Sequence, residues 1–348
     1  TDLAINHYRK TIALKPAHIE ALNNLSAILT NRGEVQESME LLRRALKIQP
    51  NGYHMLLNLA RLHVHAGEAD KAHEILKCVI NAYPDDAEAH SKYLLCTNYL
   101  PNPDPAILYE EHKRWGDRHA RKIKHYASHT KTTETERPLH IGYVSPDLRN
   151  HSVSCFIEPI LAQHNRKKFI ISCYADVENP DKTSQRLSSL CENWNRTSDL
   201  SDTQLCEKIR SDHIDILVDL AGHTGNNRLS VFARKPAPVA VSYLGYPNTT
   251  GLSAIDYRLT DSIADPPGIA DKYHTEKLIR LDNGFLCFRQ SRNAPQVIPF
   301  TEKSLQGVVF CSFNNLAKIT PEVITTWSKI LKATDNSCLC LLYTSPSP

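Results

Sequence analysis

The sequence predicts an α-helical repeat array followed by an α/β domain on a mainly parallel sheet. Three observations carry this. Pro16, Pro50 and Pro84 recur every 34 residues, short β-rich runs alternate with helical stretches after Pro138, and the polar, Thr-rich run "KIKHYASHTKTTETERP" separates the two textures.

Within the array, Asn24 keeps phase with Asn58, Leu25 with Leu59, Gly33 with Gly67 and Ser38 with Ala72. Each unit reads as two amphipathic helices. The first closes near Gly33, where a positive φ can end it, and the second stops at Pro50. Small residues at Ser38, Ala45 and Ala72 let neighbouring helices approach closely. The pattern resembles the tetratricopeptide repeat over residues 1–100, the first unit being cut short. Such an array offers a groove for an extended peptide, or a plain scaffold or dimerisation surface. Residues 101–137 read as a turn, a capping helix with Tyr109 and Trp115, and a linker.

From Pro138 the runs "LHIGYVS", "KFIISCYAD", "IDILVDLAG", "PVAVSYLGY" and "DYRLTD" suit strands buried on both faces. Residues 152–163, 183–194, 203–210 and 227–234 suit crossover helices. Ligands of such sheets sit beyond the carboxyl ends of the strands, which picks out "SPDLRNHS", "GHTGNNR" and "LGYPNTTG". These loops supply Gly, hydroxyl and amide groups, a lining suited to a sugar. Plainer uses stand beside this one. Asn150 or Ser152 caps a helix, His151 is a surface imidazole, and "YPNTTG" is a tight turn.

Composition narrows the class. With 41% hydrophobic and 23% charged residues the chain is globular, and a formal charge of +3 with dispersed basic residues excludes a nucleic-acid footprint. No apolar run is long enough to cross a bilayer and no secretory signal opens the chain, so a cytosolic or nuclear setting is expected. The ten cysteines are scattered without CxxC pairs and are expected to be mostly buried free thiols. Sequons at Asn24, Asn195 and Asn248 matter only in a secreted protein. The 17 histidines show no metal-ligand spacing, and no Asp-x-Asp occurs, so no metal or other cofactor is expected.

The runs "IGYVSPDLRNHSVS", "DILVDLAGHTGNNRL", "RKPAPV", "YLGYPNTTG", "DYRLTDSIADPP" and "FNNLAKITPE" resemble the catalytic region of the protein O-GlcNAc transferase family, nearer its SPINDLY-like and bacterial branches. The resemblance covers residues 138–336. It implies a GT-B fold, with one Rossmann-like half over residues 138–290, a linker over 291–305 and the beginning of a second half over 306–348. It also implies inverting transfer of GlcNAc from UDP-GlcNAc to Ser or Thr hydroxyls, with protein acceptors along the repeat groove. A SPINDLY-like O-fucosyltransferase using GDP-fucose is the alternative within the class, and a non-catalytic peptide-binding module the alternative outside it.

By the same resemblance, His151, with Asp147 and Asn150, falls at active-site positions, and Val153 at a substrate position. Arg228 falls at a position linked to the acceptor, Leu244 and Gly245 in the loop against the sugar, and Asn315 and Lys318 at the donor diphosphate. The chemistry suits the types. A departing diphosphate gathers negative charge, which a cation at a helix start such as Lys318 stabilises, and His151 can accept a proton or orient the acceptor. Only one strand, one helix and a stub fit after the linker, and the Ser/Pro tail looks foreign, so this chain is expected to bind donor poorly and turn over little.

Overall fold

The structure is a computed structural model that describes residues 2–126, 137–290, 294–297 and 307–341. The chain divides into two compact units. The first takes residues 1–89, 96–103 and 293–348, and the second takes 90–95 and 104–292.

The repeats fold as antiparallel helices: α1 (Asp2–Leu14), α2 (Ile19–Asn31), α3 (Val35–Ile48), α4 (Tyr53–His65), α5 (Ala69–Ala82) and α6 (Ala87–Thr97). Gly33 and Gly67 both sit at φ +77°, closing α2 and α4 in the left-handed conformation that their phase implied. Leu22, Leu25, Leu29, Leu42 and Ala45 form the buried seam with Met55 and Leu62. Ser38 shows why a small residue is needed there. Its Oγ lies 2.8 Å from Thr30 Oγ1 and donates to the Ser26 carbonyl at 2.8 Å, contacts that only closely packed helices permit. In the next unit Ala72 fills the same place, fully buried.

Beyond residues 90–95 of α6, the second unit continues with α7 (Pro105–Trp115), started by Asp104, which accepts the Ala106 N–H at 2.8 Å, and by Pro105 at the first helical position. A five-residue π-helical turn, Gly116–Ala120, extends it. The Trp115 ring lies against His119 and His223. The start of the expected linker is not loose: Tyr126 donates its N–H to the Arg234 carbonyl at 3.0 Å and stacks under the Arg210 guanidinium. Most of the rest of that linker, like the one expected over 291–305 and the Ser/Pro tail, lies outside the described residues.

The sheet runs through β1 (Leu139–Ser145), α8 (Ser152–Gln163), β2 (Phe169–Ala175), α9 (Lys182–Ser188), β3 (Asn193–Arg196), α10 (Asp202–Ser211), β4 (Ile216–Asp219), α11 (Leu229–Ala233), β5 (Val239–Ser242), β6 (Tyr257–Thr260) and β7 (Lys277–Arg280). All neighbours are parallel, in the order β3-β2-β1-β4-β5-β6-β7. The chain direction across the sheet reverses between β1 and β4, the switch point where such sheets hold ligands. One expectation fails. Residues 183–194 are not one helix: α9 stops at Ser188 and "NWNR" becomes edge strand β3. An edge strand pairs on one side only, and β3 and β7 therefore lack the continuous apolar character that marks the central strands.

The last described elements return to the first unit: β8 (Val308–Ser312), α12 (Pro321–Ala333) and β9 (Ser337–Leu341), with β8 and β9 parallel. Thr320 caps α12 by accepting the Val323 N–H at 3.4 Å. All ten cysteines are free, but burial holds only for Cys96, Cys173 and Cys206, with Cys191 half-buried; the other six are exposed. Among the described residues no helix is long and apolar enough to cross a membrane.

Candidate active site

β1, β4 and β5 are adjacent, with Val144 opposite Asp219 and Asp219 opposite Ser242. The three polar loops after them therefore leave the same edge of the sheet, the outer two about 10 Å apart at two strand spacings. Each is built differently.

After β1 the chain turns through Asp147, Arg149 and Asn150 to His151. His151 is itself the cap of α8: its Nδ1 accepts the Val153 N–H at 3.3 Å. Neither Asn150 nor Ser152 has that role. With Nδ1 accepting, the neutral ring carries its proton on Nε2. Nδ1 also lies 3.8 Å from Asp147 Oδ2, and Arg149 Nη2 lies 3.6 Å from Asp147 Oδ1. Burial pushes the Asp147 carboxyl up, partly offset by His151 and Arg149, and pushes the His151 imidazole down, partly offset by Asp147. Asn150 uses its backbone N–H on Asp181 Oδ2 at 2.7 Å and leaves its side chain exposed. Val153, the first residue after Ser152 in α8, is buried in the core cluster that includes Leu148 and Ile157.

After β4, Asp219 is buried and accepts the N–H groups of Ala221 at 3.0 Å and Gly222 at 2.8 Å. Burial raises its carboxyl to about 6. Gly222, at φ +55°, has room for no Cβ, which would stand 2.2 Å from the Tyr246 Cβ. His223 is buried, with Nε2 donating to the Thr250 carbonyl at 2.9 Å and Nδ1 accepting from the Ser91 hydroxyl at 3.0 Å. Thr224 turns back on the Ala221 carbonyl through its N–H and its hydroxyl.

After β5 the Gly245 N–H donates to the Tyr243 carbonyl at 2.9 Å across Leu244, whose φ is +64°. This γ-turn with a positive-φ leucine is a strained conformation that persists only when the surroundings impose it. They do. A Cβ on Gly245 would stand 1.9 Å from the Leu220 carbonyl oxygen, so the β5 loop rests directly on the β4 loop. The Tyr246 hydroxyl donates to His112 Nε2 at 2.7 Å, while His112 Nδ1 donates to the Leu108 carbonyl at 2.7 Å. Burial holds His112 neutral, down at about 4, and pushes the His223 imidazole well below its ordinary value.

Arg228, expected near the acceptor, is held by three segments of its own unit. Its Nε and Nη2 donate to Asp176 at 3.0 and 2.8 Å, Nη1 donates to Asp202 at 2.8 Å, and Nη2 also reaches the Thr197 carbonyl at 3.3 Å. It ties the ends of β2 and β3 to the start of α10. Asn315 and Lys318 belong to the first unit. There the Asn315 side chain accepts the Ala317 N–H at 3.0 Å and opens the short 3-10 turn Leu316–Lys318, on which Lys318 is exposed.

The structure thus groups Asp147, Asn150, His151, Arg228, Leu244 and Gly245 along one sheet edge. Sequence reasoning missed the buried groups bonded into these loops: Asp219, His112 and His223. The one readable signal was a carboxylate ending the otherwise apolar "ILVD".

Comparison with known proteins completes the picture. The model of glycosyl transferase family 41 matches residues 118–293 and 301–346, and a tetratricopeptide repeat model matches 32–93. A tomato (Solanum lycopersicum) protein named "Probable UDP-N-acetylglucosamine--peptide N-acetylglucosaminyltransferase SPINDLY" is 44% identical over 260 residues, 74% of this chain and 28% of that protein. A Caenorhabditis elegans UDP-N-acetylglucosamine--peptide N-acetylglucosaminyltransferase is 34% identical over 190 residues, 53% of this chain and 16% of that protein. A solved structure of a mutant Thermobaculum terrenum O-GlcNAc transferase superposes with a TM-score of 0.92 at 34% identity, over 98% of this chain and 65% of that one. The chain thus spans little more than a quarter of the length of the first of these curated relatives, and within that span motifs, repeats and fold agree: it belongs to glycosyl transferase family 41.

Proposed function

We propose that this chain carries the acceptor and sugar loops of a protein O-glycosyltransferase that moves GlcNAc from UDP-GlcNAc to Ser or Thr hydroxyls with inversion, on proteins held by the repeats. The observation that carries the reading is the meeting of three polar loops at the switch point, with a strained γ-turn at Leu244 and Gly245 on one side and the His151–Asp147 pair on the other. The names that these relatives bear support the donor and the acceptor class.

In this reading the Gly245 turn presents backbone to the sugar without side-chain obstruction. His151, neutral with its proton on Nε2, donates that proton as a hydrogen bond and so orients the acceptor oxygen; to act as base it has to exchange tautomers, with Asp147 taking the Nδ1 proton as hydrogen-bond partner. Lys318, exposed at the foot of a capped helix, stabilises the departing diphosphate, and Asn315 fixes the turn that carries it. No metal or other cofactor is assigned a role.

The test is transfer by an enzyme carrying this unit, with UDP-GlcNAc and GDP-fucose in separate arms and Ser/Thr peptides analysed by mass. The reading expects a hexosamine on the peptide and a loss of at least about tenfold on His151→Ala. Addition of a deoxyhexose instead reassigns the donor, and equal rates with and without His151 sink the assignment of this edge.

A further inference from the structure

The residues that follow the γ-turn at Leu244 are bonded to two buried charged side chains, Glu276 and Arg258. Glu276, just before β7, is 4% exposed, yet no lysine, arginine or histidine reaches its carboxylate among the ion pairs of the described residues. Instead it collects hydrogen bonds from one dipeptide. Thr249 Oγ1 donates to Oε2 at 2.6 Å, the Thr250 N–H donates to Oε1 at 2.7 Å, and the Thr250 hydroxyl donates to Oε1 as well. Thr249 Oγ1 in turn accepts the N–H groups of Gly251 at 3.2 Å and Thr275 at 3.1 Å. From the other side Arg258, 4% exposed, donates Nη1 to the carbonyls of Tyr246 at 2.9 Å and Asn248 at 3.1 Å.

A buried carboxylate is costly unless several donors converge on it, and charge-assisted bonds are about twice as strong as neutral ones. An amide in its place has one acceptor oxygen, so its NH2 would face a hydroxyl that now points at an acceptor. We propose that Glu276 is a positioning residue: with Arg258 it fixes residues 246–250 and thereby imposes the γ-turn that turns the Leu244–Gly245 backbone toward the sugar. The proposal rests on the functional reading only in its last clause, since the hold on the loop is independent of any ligand.

Amide hydrogen exchange on the unliganded chain reads the hold directly. Glu276→Gln and the milder Thr249→Val are expected to raise exchange at least tenfold in peptides covering residues 243–251 while β1, β2 and α8 keep their protection, and Thr249→Ser, which retains the hydroxyl, is expected to match the parent. Unchanged exchange in the loop, or equal loss of protection throughout the unit, overturns the proposal. Saturation-transfer NMR with UDP-GlcNAc on a full-length enzyme carrying this unit then reads the sugar side: contacts to the GlcNAc ring in that parent enzyme that weaken in Thr249→Val are expected, and contacts unaffected by a loosened loop overturn the positioning role. Absence of contacts in the parent itself, with the exchange result intact, overturns the functional reading of the edge and leaves the hold on the loop standing.

Discussion

β1–α8–β2 and β8–α12–β9 share one grammar: a parallel strand, a loop carrying a candidate residue, a capped helix, a second parallel strand. His151 caps the first helix and Thr320 the second. Their burial is opposite. β1 lies between β2 and β4, and its last five residues are buried, whereas β8 pairs, among the described residues, only with β9 and has Val308 46% and Val309 43% exposed. α8 buries five residues; α12 buries none, though it carries Trp327, Ile324, Ile330 and Leu331. Local sequence is enough to specify a strand and a helix, but rigidity at the loop between them comes from flanking strands and a second layer. The two candidate loops are therefore not equally preorganised.

Truncating the same side chain in both helices gives the largest expected contrast. Ile157, fully buried in the core of the sheet, should cost about 2–5 kcal/mol on Ile157→Ala. Ile330, 40% exposed on α12, should cost under about 1 kcal/mol on Ile330→Ala. Urea unfolding of both variants decides it, and similar losses would mean that α12 is packed in solution. Next in size is Gly245→Ala. The new methyl meets the Leu220 carbonyl, which belongs to backbone and cannot rotate aside, so about 1–3 kcal/mol is expected together with loss of the γ-turn. A stability unchanged within error would show the β5 loop free to lift off the β4 loop.

Acidification tests the buried histidines. His112 is held at about 4 in the folded chain against about 6.5 unfolded, so the unfolded state binds more protons and stability falls as pH drops below about 6.5. Between pH 6.5 and 5 this removes about 2 kcal/mol, and burial of His223 and His90 acts in the same direction. Asp219, raised to about 6, works oppositely and returns about 1 kcal/mol between pH 6 and 5 as it takes up a proton in the folded state. A net loss on acidification is expected in melting midpoints from pH 7.5 to 5, with a shallower slope in His112→Gln even though that variant starts lower. An identical slope would mean that His112 is not held neutral.

These effects also mark how far the sequence could be read. β1 and α8 were legible to the residue because an uninterrupted apolar run, a polar break and a helical period follow one another without ambiguity. β3 and β7 were not, since an edge strand needs only partial apolar character. The loops were legible as polar ends of strands, but what holds them was not. Tyr246 finds His112 134 positions away, Thr250 finds Glu276 26 away, and no local pattern marks such pairs. Arg228 shows the same limit: its bonds to Asp176 and Asp202 join residues 52 and 26 positions apart, and nothing local marks them. The thiols misled in another way, because residue type alone predicts burial and six of them sit on faces that the fold leaves open.

The smallest structural effect belongs to Lys318. Its side chain is exposed at the end of a 3-10 turn held by its own backbone and by Asn315, and it makes no ion pair among the described residues. Lys318→Ala should therefore move stability by less than about 0.5 kcal/mol in urea unfolding. If the cation meets a departing diphosphate, an enzyme carrying this unit should nonetheless lose about 100-fold in kcat, since removing one preorganised group that stabilises developing charge typically has that effect. The pairing of the two readouts is what discriminates. A stable variant with unimpaired turnover would remove Lys318 from the chemistry, while a large loss of stability would show the turn to be packed far more tightly than β8 and α12 around it.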